Sequence, residues 1–282
     1  MTAGEHKRRE LEFHDHHFEM LRAQAKKYAG INLTAAKKEL VYSRLVRRLR
    51  RLGLEGFTDY CRLLKTRPEQ ELMHFINAIT TNKTGFFREP HHFEFLTRTA
   101  IPQLINSRDL DRKIRIWSAG CSTGQEPYSI AIVLLETVPY PDIWDIRILA
   151  TDIDSDVLEN ARQGIYKTDE LIGLSPARLK RWFKKGTGQN EGKVRIDPEL
   201  SQLISFKRLN LMDDWPLHGP FDLLFCRNTV IYFDKSAQKR LFERFSGVLA
   251  GNGYLFIGHS ESLFSISNDF QHLGQTIHKK VA

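Results

Sequence analysis

Cysteine is scarce in this chain, with three in 282 residues, at positions 61, 121 and 226. They are far apart, odd in number and in no CxxC spacing, which excludes a disulfide framework and a zinc site built on paired thiolates. A reducing, cytoplasmic setting is the expectation that follows. No apolar run approaches the roughly 18 residues of a membrane span, since the best candidate, residues 129–135, is short and amphipathic. The opening stretch MTAGEHKRRE is charged and has no signal-peptide apolar region, so neither a leader nor membrane insertion is expected. Repeats and low-complexity tracts are also missing. With 10 Pro, 18 Gly, 41% apolar and 27% charged residues, the composition excludes collagen-like, disordered and coiled-coil chains. At about 150 residues per domain, the length suits two domains or one domain with substantial additions.

The net charge of +8 is unevenly placed. Residues 1–110 hold 20 Lys+Arg against 13 Asp+Glu, and the remainder holds 22 against 21. A basic first third calls for a polyanion or an acidic protein surface as partner. Residues 11–105 repeat apolar side chains at helical spacing (Phe18, Leu21, Ala25, Tyr28; then Val41, Leu45, Leu49, Leu52), which predicts an all-helical N-terminal domain over 1–105. At about 100° per residue, Lys37, Arg44, Arg47, Arg48 and Arg51 fall in one arc, a basic stripe opposite the apolar one. It reads either as a partner-binding surface or as a solvated helix face.

From Ile114 the pattern changes to short apolar runs alternating with helices, the mark of an α/β domain with a parallel sheet, assigned to 106–282. Strands are expected at 113–118, 146–151, 205–209, 221–226 and 253–258, and helices at 126–136, 155–163 and 236–249. The stretch of about 40 residues between Gly164 and Ser205 exceeds an ordinary connection. Ser175-Pro176 there starts a helix, and Gly186, Gly188 and Gly192 precede an extended run at 193–197. A small inserted β-subdomain over about 166–203, a candidate docking module, is the expectation.

Candidate ligand-binding residues sit at the strand ends. Gly120 and Gly124, in the loop Gly120-Cys121-Ser122-Thr123-Gly124 after the first strand, allow a tight turn and close approach of a ligand to the backbone. The spacing is neither GxGxxG nor GxxxxGK[ST], which removes most support for pyridine dinucleotides and ATP. Asp152 ends the second strand, where a carboxylate can accept both ribose hydroxyls. Asp154 is expected to cap the next helix. Asn210 ends the third strand, where an amide can read an adenine edge, although a turn residue is the plainer reading. A glycine loop, an acid and an amide without a phosphate grip point to S-adenosylmethionine.

Four long motifs then define a resemblance: Asn82-Lys83-Thr84-Gly85-Phe86-Phe87-Arg88-Glu89, Gly120-Cys121-Ser122-Thr123-Gly124-Gln125-Glu126-Pro127-Tyr128-Ser129, Thr151-Asp152-Ile153-Asp154, and Phe225-Cys226-Arg227-Asn228-Thr229-Val230-Ile231-Tyr232-Phe233. With Gly258-His259-Ser260-Glu261, they resemble the CheR family of bacterial chemotaxis receptor glutamate methyltransferases from about residue 15 to 280. The resemblance implies a helical N-terminal domain and a Rossmann-like methyltransferase domain with a β-subdomain inserted at the 40-residue interruption. By position it implies that Asn82, Thr84, Arg88, Gly120, Glu126 and Asp152 contact the cofactor, that Asn210 and Leu211 face the adenine, and that Arg227 and Asn228 close the site. Arg88 and Tyr232 are expected to act in methyl transfer to receptor glutamates, with S-adenosylhomocysteine as product. The partner is then a methyl-accepting receptor with an acidic helical cytoplasmic domain, which the basic stripe complements, and a monomer is expected. Gly85, Gln125 and Thr229 depart from the usual family residues.

Two rivals remain at this level. A nucleic-acid methyltransferase would explain the basic region, but the fourth strand is followed by Cys226-Arg227-Asn228-Thr229 and not by (Asp/Asn)-Pro-Pro-(Tyr/Phe), and none of the three cysteines follows Pro. No nucleic-acid partner is therefore expected. A non-catalytic cofactor-binding adaptor would have less reason to keep every contact residue. No metal is expected: the i, i+2, i+3 spacing of His14, His16 and His17 does not put three ligands on one helix face. His91-His92 reads as helix surface or lining, and Cys121 as a small buried residue of the glycine loop.

Overall fold

The computed structural model describes residues 10–108, 110–264 and 266–281. The chain divides into two compact units, Met1–Thr81 and Asn82–Ala282. The first is all helical, with α1 (Asp15–Ala29), α2 (Lys38–Leu52), α3 (Phe57–Thr66) and α4 (Pro68–Ile79). Val41, Leu45 and Leu49 form the buried stripe of α2, as their spacing predicts, and Gly53 ends it in the left-handed region with its N–H donated to Arg50 O. Pro68 starts α4, where a missing N–H costs nothing.

The basic arc of α2 is not one open surface. Arg48 grips buried Glu71 with two hydrogen bonds of 2.9 and 2.6 Å, and the Tyr60 hydroxyl donates to the same carboxylate at 2.9 Å. Arg44 donates to Ile79 O at 2.7 Å and Thr80 O at 2.6 Å, satisfying the carbonyl end of α4. These two guanidiniums hold the helical unit together. Lys37 is half-buried, its ammonium pushed down by burial and by Arg44. Arg47 and Arg51 are exposed. A helical-wheel arc assigns a direction to each side chain but cannot see the neighbouring helix into which a long one reaches.

The second unit starts 24 residues before the expected boundary at 105/106. Residues 90–107 are helical, as predicted up to 105, in α5 (Pro90–Phe95), a π turn (Leu96–Ala100) and α6 (Ile101–Ser107). Their apolar side chains Phe93, Leu96, Ala100 and Ile101 pack with Ile114, Ile130 and Phe256, so they belong to the sheet's core. Helicity marks an element and not its domain.

The main sheet contains β1 (Lys113–Ala119), β2 (Asp145–Asp152), β6 (Ile204–Arg208), β7 (Phe221–Cys226), β8 (Leu249–Ile257), β9 (Phe270–Gly274) and β10 (Ile277–Lys280), in the order β6-β2-β1-β7-β8-β10-β9. The first five in that order are parallel and the last two antiparallel. Alternate residues cover two faces. Ile114, Ile116, Leu223, Phe225 and Phe256 pack under α7 (Gln125–Thr137), and Trp117, Leu224, Leu255 and Ile257 under α11 (Lys235–Val248). The β9–β10 hairpin is absent from the sequence reading. Its turn uses Gln275 and Thr276, both at positive φ, where the usual hairpin signal is Asn-Gly or Asp-Gly.

The insertion follows α8 (Ser155–Gln163). It is a three-stranded antiparallel sheet, β3 (Ile165–Lys167), β4 (Phe183–Lys185) and β5 (Lys193–Ile196), in the order β3-β5-β4, with α9 (Pro176–Trp182) before β4. Ser175 caps α9 by accepting Arg178 N–H at 3.3 Å.

Candidate active site

The carboxyl ends of β1, β2 and β7 meet where the strand order reverses, the usual ligand crevice of an open α/β sheet. Gly120 leaves β1 at φ +83°, and a Cβ there would lie 2.3 Å from Thr229 Oγ1. Its N–H and that of Cys121 both donate to Thr151 O, at 2.8 and 2.9 Å. Gly124, at φ +94°, would bring a Cβ to 2.9 Å from Ala161. Both glycines are therefore demanded by sterics as well as by backbone conformation. Gly85 is not: a Cβ there meets nothing within 4 Å, so this departure from the family leaves the segment's packing intact.

Asp152 is buried at the end of β2. Its Oδ2 accepts Ser122 N–H at 2.8 Å and its Oδ1 accepts Asp154 N–H at 3.0 Å. Each oxygen keeps lone-pair capacity for a further donor. Burial raises the carboxyl to about 6, against the pull of those N–H groups. Asp154 caps α8 through Asp156 N–H at 2.9 Å, as expected, and also accepts Asn82 Nδ2 at 2.8 Å. Asn82 is held a second time, its carbonyl accepting the Ser122 hydroxyl at 3.0 Å. Residues 82–88 are thus pinned to the glycine loop within one unit.

The centre of the site is an ion network. Arg227, after β7, donates Nη1 to Glu126 Oε2 at 3.0 Å, and its Nη2 lies 3.3 Å from Glu89 Oε2 and donates to the Arg88 carbonyl. Ser118 donates to the other Glu126 oxygen at 2.7 Å. Burial pushes the Glu126 carboxyl up, against the opposing pull of Arg227 and Ser118. Glu89 sits at about 2, because the His259 hydrogen bond and the Arg227 charge together outweigh its burial. The neighbouring loop is organised by Glu261, which accepts four backbone N–H groups: Val230 at 2.6 Å, Ile231 at 3.2 Å, Asn228 at 3.0 Å and Gly258 at 2.6 Å. Asn228 adopts φ +56° there.

The structure therefore gathers Asn82, Gly120, Glu126, Asp152, Arg227 and Asn228 at the strand ends, and Arg88 joins them through its backbone carbonyl. Thr84 is half-buried in the same segment, and Tyr232 is half-buried on the turn after β7. Arg88 Nη1 donates to Lys83 O at 2.9 Å, leaving further N–H groups for a ligand. Asn210 orders its own turn, accepting Met212 N–H at 3.1 Å and donating to Asp213 at 3.0 Å, and Leu211 is buried against the α11 side of the sheet. Gln125 donates to Glu170 at 3.1 Å, where a glutamate would repel. Cys121 is buried with its thiol pushed well above the ordinary value, which suits packing and not reactivity. Glu89, Ser122 and Glu261 were not singled out as site residues by sequence reasoning. Only their places inside the motif strings could have flagged them.

These residues fit S-adenosylmethionine. Gly120, with no room for a Cβ beside Thr229, lies at the end of a strand flanked by the buried carboxyl groups of Asp152 and Glu126, and the Asp152 oxygens keep the lone-pair capacity that ribose hydroxyls require. The family model described as "CheR methyltransferase, SAM binding domain" matches residues 82–279, and "CheR methyltransferase, all-alpha domain" matches 16–80. A chemotaxis protein methyltransferase of Klebsiella aerogenes is 45% identical over 95% of this chain and 90% of its own. Chemotaxis protein methyltransferase 2 of Pseudomonas aeruginosa is 46% identical over 93% and 91%, and the Escherichia coli chemotaxis protein methyltransferase 44% over 95% and 92%. With both regions matched and the cluster assembled at the strand ends, the chain belongs to the CheR family of S-adenosylmethionine-dependent methyltransferases.

Proposed function

We propose that this enzyme methylates glutamate side-chain carboxylates of chemoreceptor cytoplasmic domains, giving methyl esters. The observation that carries the cofactor side is the pair of buried carboxylates, Asp152 and Glu126, flanking the Gly120 cradle. The substrate class follows from the relatives, each named a chemotaxis protein methyltransferase. When bound, the cofactor supplies an electrophilic methyl group. A glutamate nucleophile, with an ordinary pKa of about 4.3, is already ionised at pH 7. The protein's own task is then positioning and electrostatics, with no proton to remove. Asp152 holds the ribose, Asn210 and Leu211 face the adenine, and Asn82, Thr84, Glu126 and Asn228 line the remainder. Arg88 orients the incoming carboxylate, and Tyr232 adds a hydroxyl donor.

The decisive experiment incubates the enzyme with methyl-labelled S-adenosylmethionine and a receptor cytoplasmic fragment. Label released as methanol by alkali is expected, and base-stable label overturns the reading. Arg88→Ala and Tyr232→Phe are each expected to slow transfer by on the order of 10²-fold, the usual effect of losing one preorganised donor. Turnover at the wild-type rate in both would remove these roles.

The Asp152 carboxyl gives a pH dependence with a definite sign. Ribose hydroxyls need the ionised acceptor, and protonation sets in near pH 6. S-adenosylhomocysteine affinity is therefore expected to be constant above about pH 7 and to fall toward tenfold per unit below pH 6. Calorimetric titration from pH 5 to 8 reads this directly. Asp152→Asn binds weakly and without that slope; a slope unchanged in this variant assigns the titration to another group.

The receptor surface reduces to the exposed part of the basic stripe. Arg47→Glu with Arg51→Glu is expected to lower receptor methylation at least tenfold at low salt and to leave S-adenosylhomocysteine affinity unchanged. Equal loss of both would indicate misfolding and not a lost contact.

A further inference from the structure

Beside Arg227, three buried atoms have no hydrogen-bond partner among the described residues: Glu89 Oε2, His91 Nε2 and His92 Nδ1. One ligand atom from each of these residues lies within 4.8 Å of the other two, and Glu89 Oε2 stands 3.6 Å from His92 Nδ1. The side chain of His92 is fully buried, and its tautomer follows from its second nitrogen. His92 Nε2 faces Gln275 O at 3.2 Å and Thr276 Oγ1 at 3.1 Å. The Thr276 hydroxyl spends its own proton on Gln275 O, at 2.6 Å, so both neighbours of Nε2 are acceptors. Nε2 therefore carries the ring proton, and Nδ1 presents a bare lone pair toward an anionic carboxylate oxygen. Acceptors facing one another in a buried site repel unless a cation or a bridging donor lies between them.

We propose that Glu89, His91 and His92 bind a single divalent transition-metal ion of the zinc class, contrary to the expectation from sequence that the chain has no metal site. Two imidazoles and a carboxylate form the three-ligand set of an open zinc site and suit borderline ions better than magnesium or calcium. The His92 Nε2–H held by a backbone carbonyl is the outer support that metal-bound imidazoles ordinarily have. Arg227 works against the ion, since its Nη2 is 3.3 Å from the same Glu89 oxygen. Its charge is shared with Glu126, and the Glu89 carboxylate stands between the two cations. Sequence spacing hides this set because Glu89 is at φ +58°, a left-handed turn just before α5 that aims its carboxylate back over the helix.

The test titrates the purified full chain with cobalt(II), read by its visible ligand-field absorption, and with zinc(II) by calorimetry. One equivalent is expected. His91→Ala, at a half-buried position, and Glu89→Gln should each weaken binding at least tenfold, no less than the loss of an outer-shell partner costs. His16→Ala, in the chain's other histidine-rich stretch, should leave the affinity unchanged. Circular dichroism confirms that the variants fold. Absence of saturable uptake, affinity unchanged in His91→Ala, or loss of uptake in His16→Ala would each overturn the assignment; the first would mean that water bridges the three groups.

Discussion

Arg227→Met is expected to destabilise the unit Asn82–Ala282 by about 3–5 kcal/mol, the cost of removing one partner from a buried ion pair. The Arg227 side chain is 3% exposed and stands between those of Glu89 and Glu126, which are 9% and 11% exposed. Methionine keeps much of the apolar stem's packing over Phe93 but leaves buried Glu89 and Glu126 without the counter-charge they share. It also releases the Arg88 carbonyl, and with it one restraint on residues 82–88. All four tryptophans (117, 144, 182 and 215) lie in this unit, so tryptophan fluorescence in urea reports its unfolding separately from the helical one. The triple variant Arg227→Met, Glu89→Gln, Glu126→Gln should recover most of the lost stability, because a neutral set needs no counter-charge. It should not recover cofactor binding. A midpoint in Arg227→Met equal to that of the wild type would show that water screens the network and that its burial has no energetic weight.

Much of the second unit could be read from the sequence because its physics is local. Alternating runs such as Ile114, Ile116 and Leu223, Phe225 mark strands with two covered faces, and strand-end positions of Gly120 and Asp152 follow from where those runs stop. Features set by tertiary neighbours stayed hidden. Arg48 and Arg44 looked like surface charge until α4 supplied Glu71 and its carbonyl end. Residues 90–105 share the pattern of the helical domain, and only the sheet, by packing on Phe93 and Leu96, claims them for the second unit. The β9–β10 turn at Gln275-Thr276 uses residues that tolerate positive φ only under tertiary constraint. Glu89 lacked a role because a lone acid after Arg88 has no periodicity to betray it; only the fold brings Arg227 and His259 to its two oxygens.

Charge placement takes on a narrower meaning for the same reason. A count along the chain treats each basic residue as equal, whereas the fold converts some into internal cement. Arg44 and Arg48 are spent on α4, and Arg227 on the site. Arg47 and Arg51, both exposed on α2, are the part of the stripe whose charge an acidic partner can meet at the helix surface.

The four N–H groups gathered by Glu261 make it the residue on which the loop after β7 depends, and Glu261→Ala is expected to cost about 3–5 kcal/mol. A hydrogen bond to a charged group contributes about 1.5–3 kcal/mol, and a cavity of this size admits water that recovers part of the loss. The geometry of the loop leaves little slack. A Cβ on Gly258 would lie 2.4 Å from Asn228 Nδ2 and 2.7 Å from Asn228 N, so the two turns touch backbone to backbone. Asn228 holds φ +56° at the contact, a conformation that Asn tolerates but does not seek. Without the carboxylate, Asn228 relaxes and takes with it the turn that places Tyr232. Glu261→Gln is the sharper test, because it preserves volume. One amide oxygen can still serve two N–H groups, but the NH₂ then faces the other two, donor against donor. Its expected signature is a folded protein, with wild-type tryptophan fluorescence in the absence of urea, whose S-adenosylhomocysteine affinity falls about tenfold, equivalent to about 1.4 kcal/mol. Wild-type affinity in Glu261→Gln would mean that shape alone, and not the four charge-assisted hydrogen bonds, holds the loop in its binding conformation.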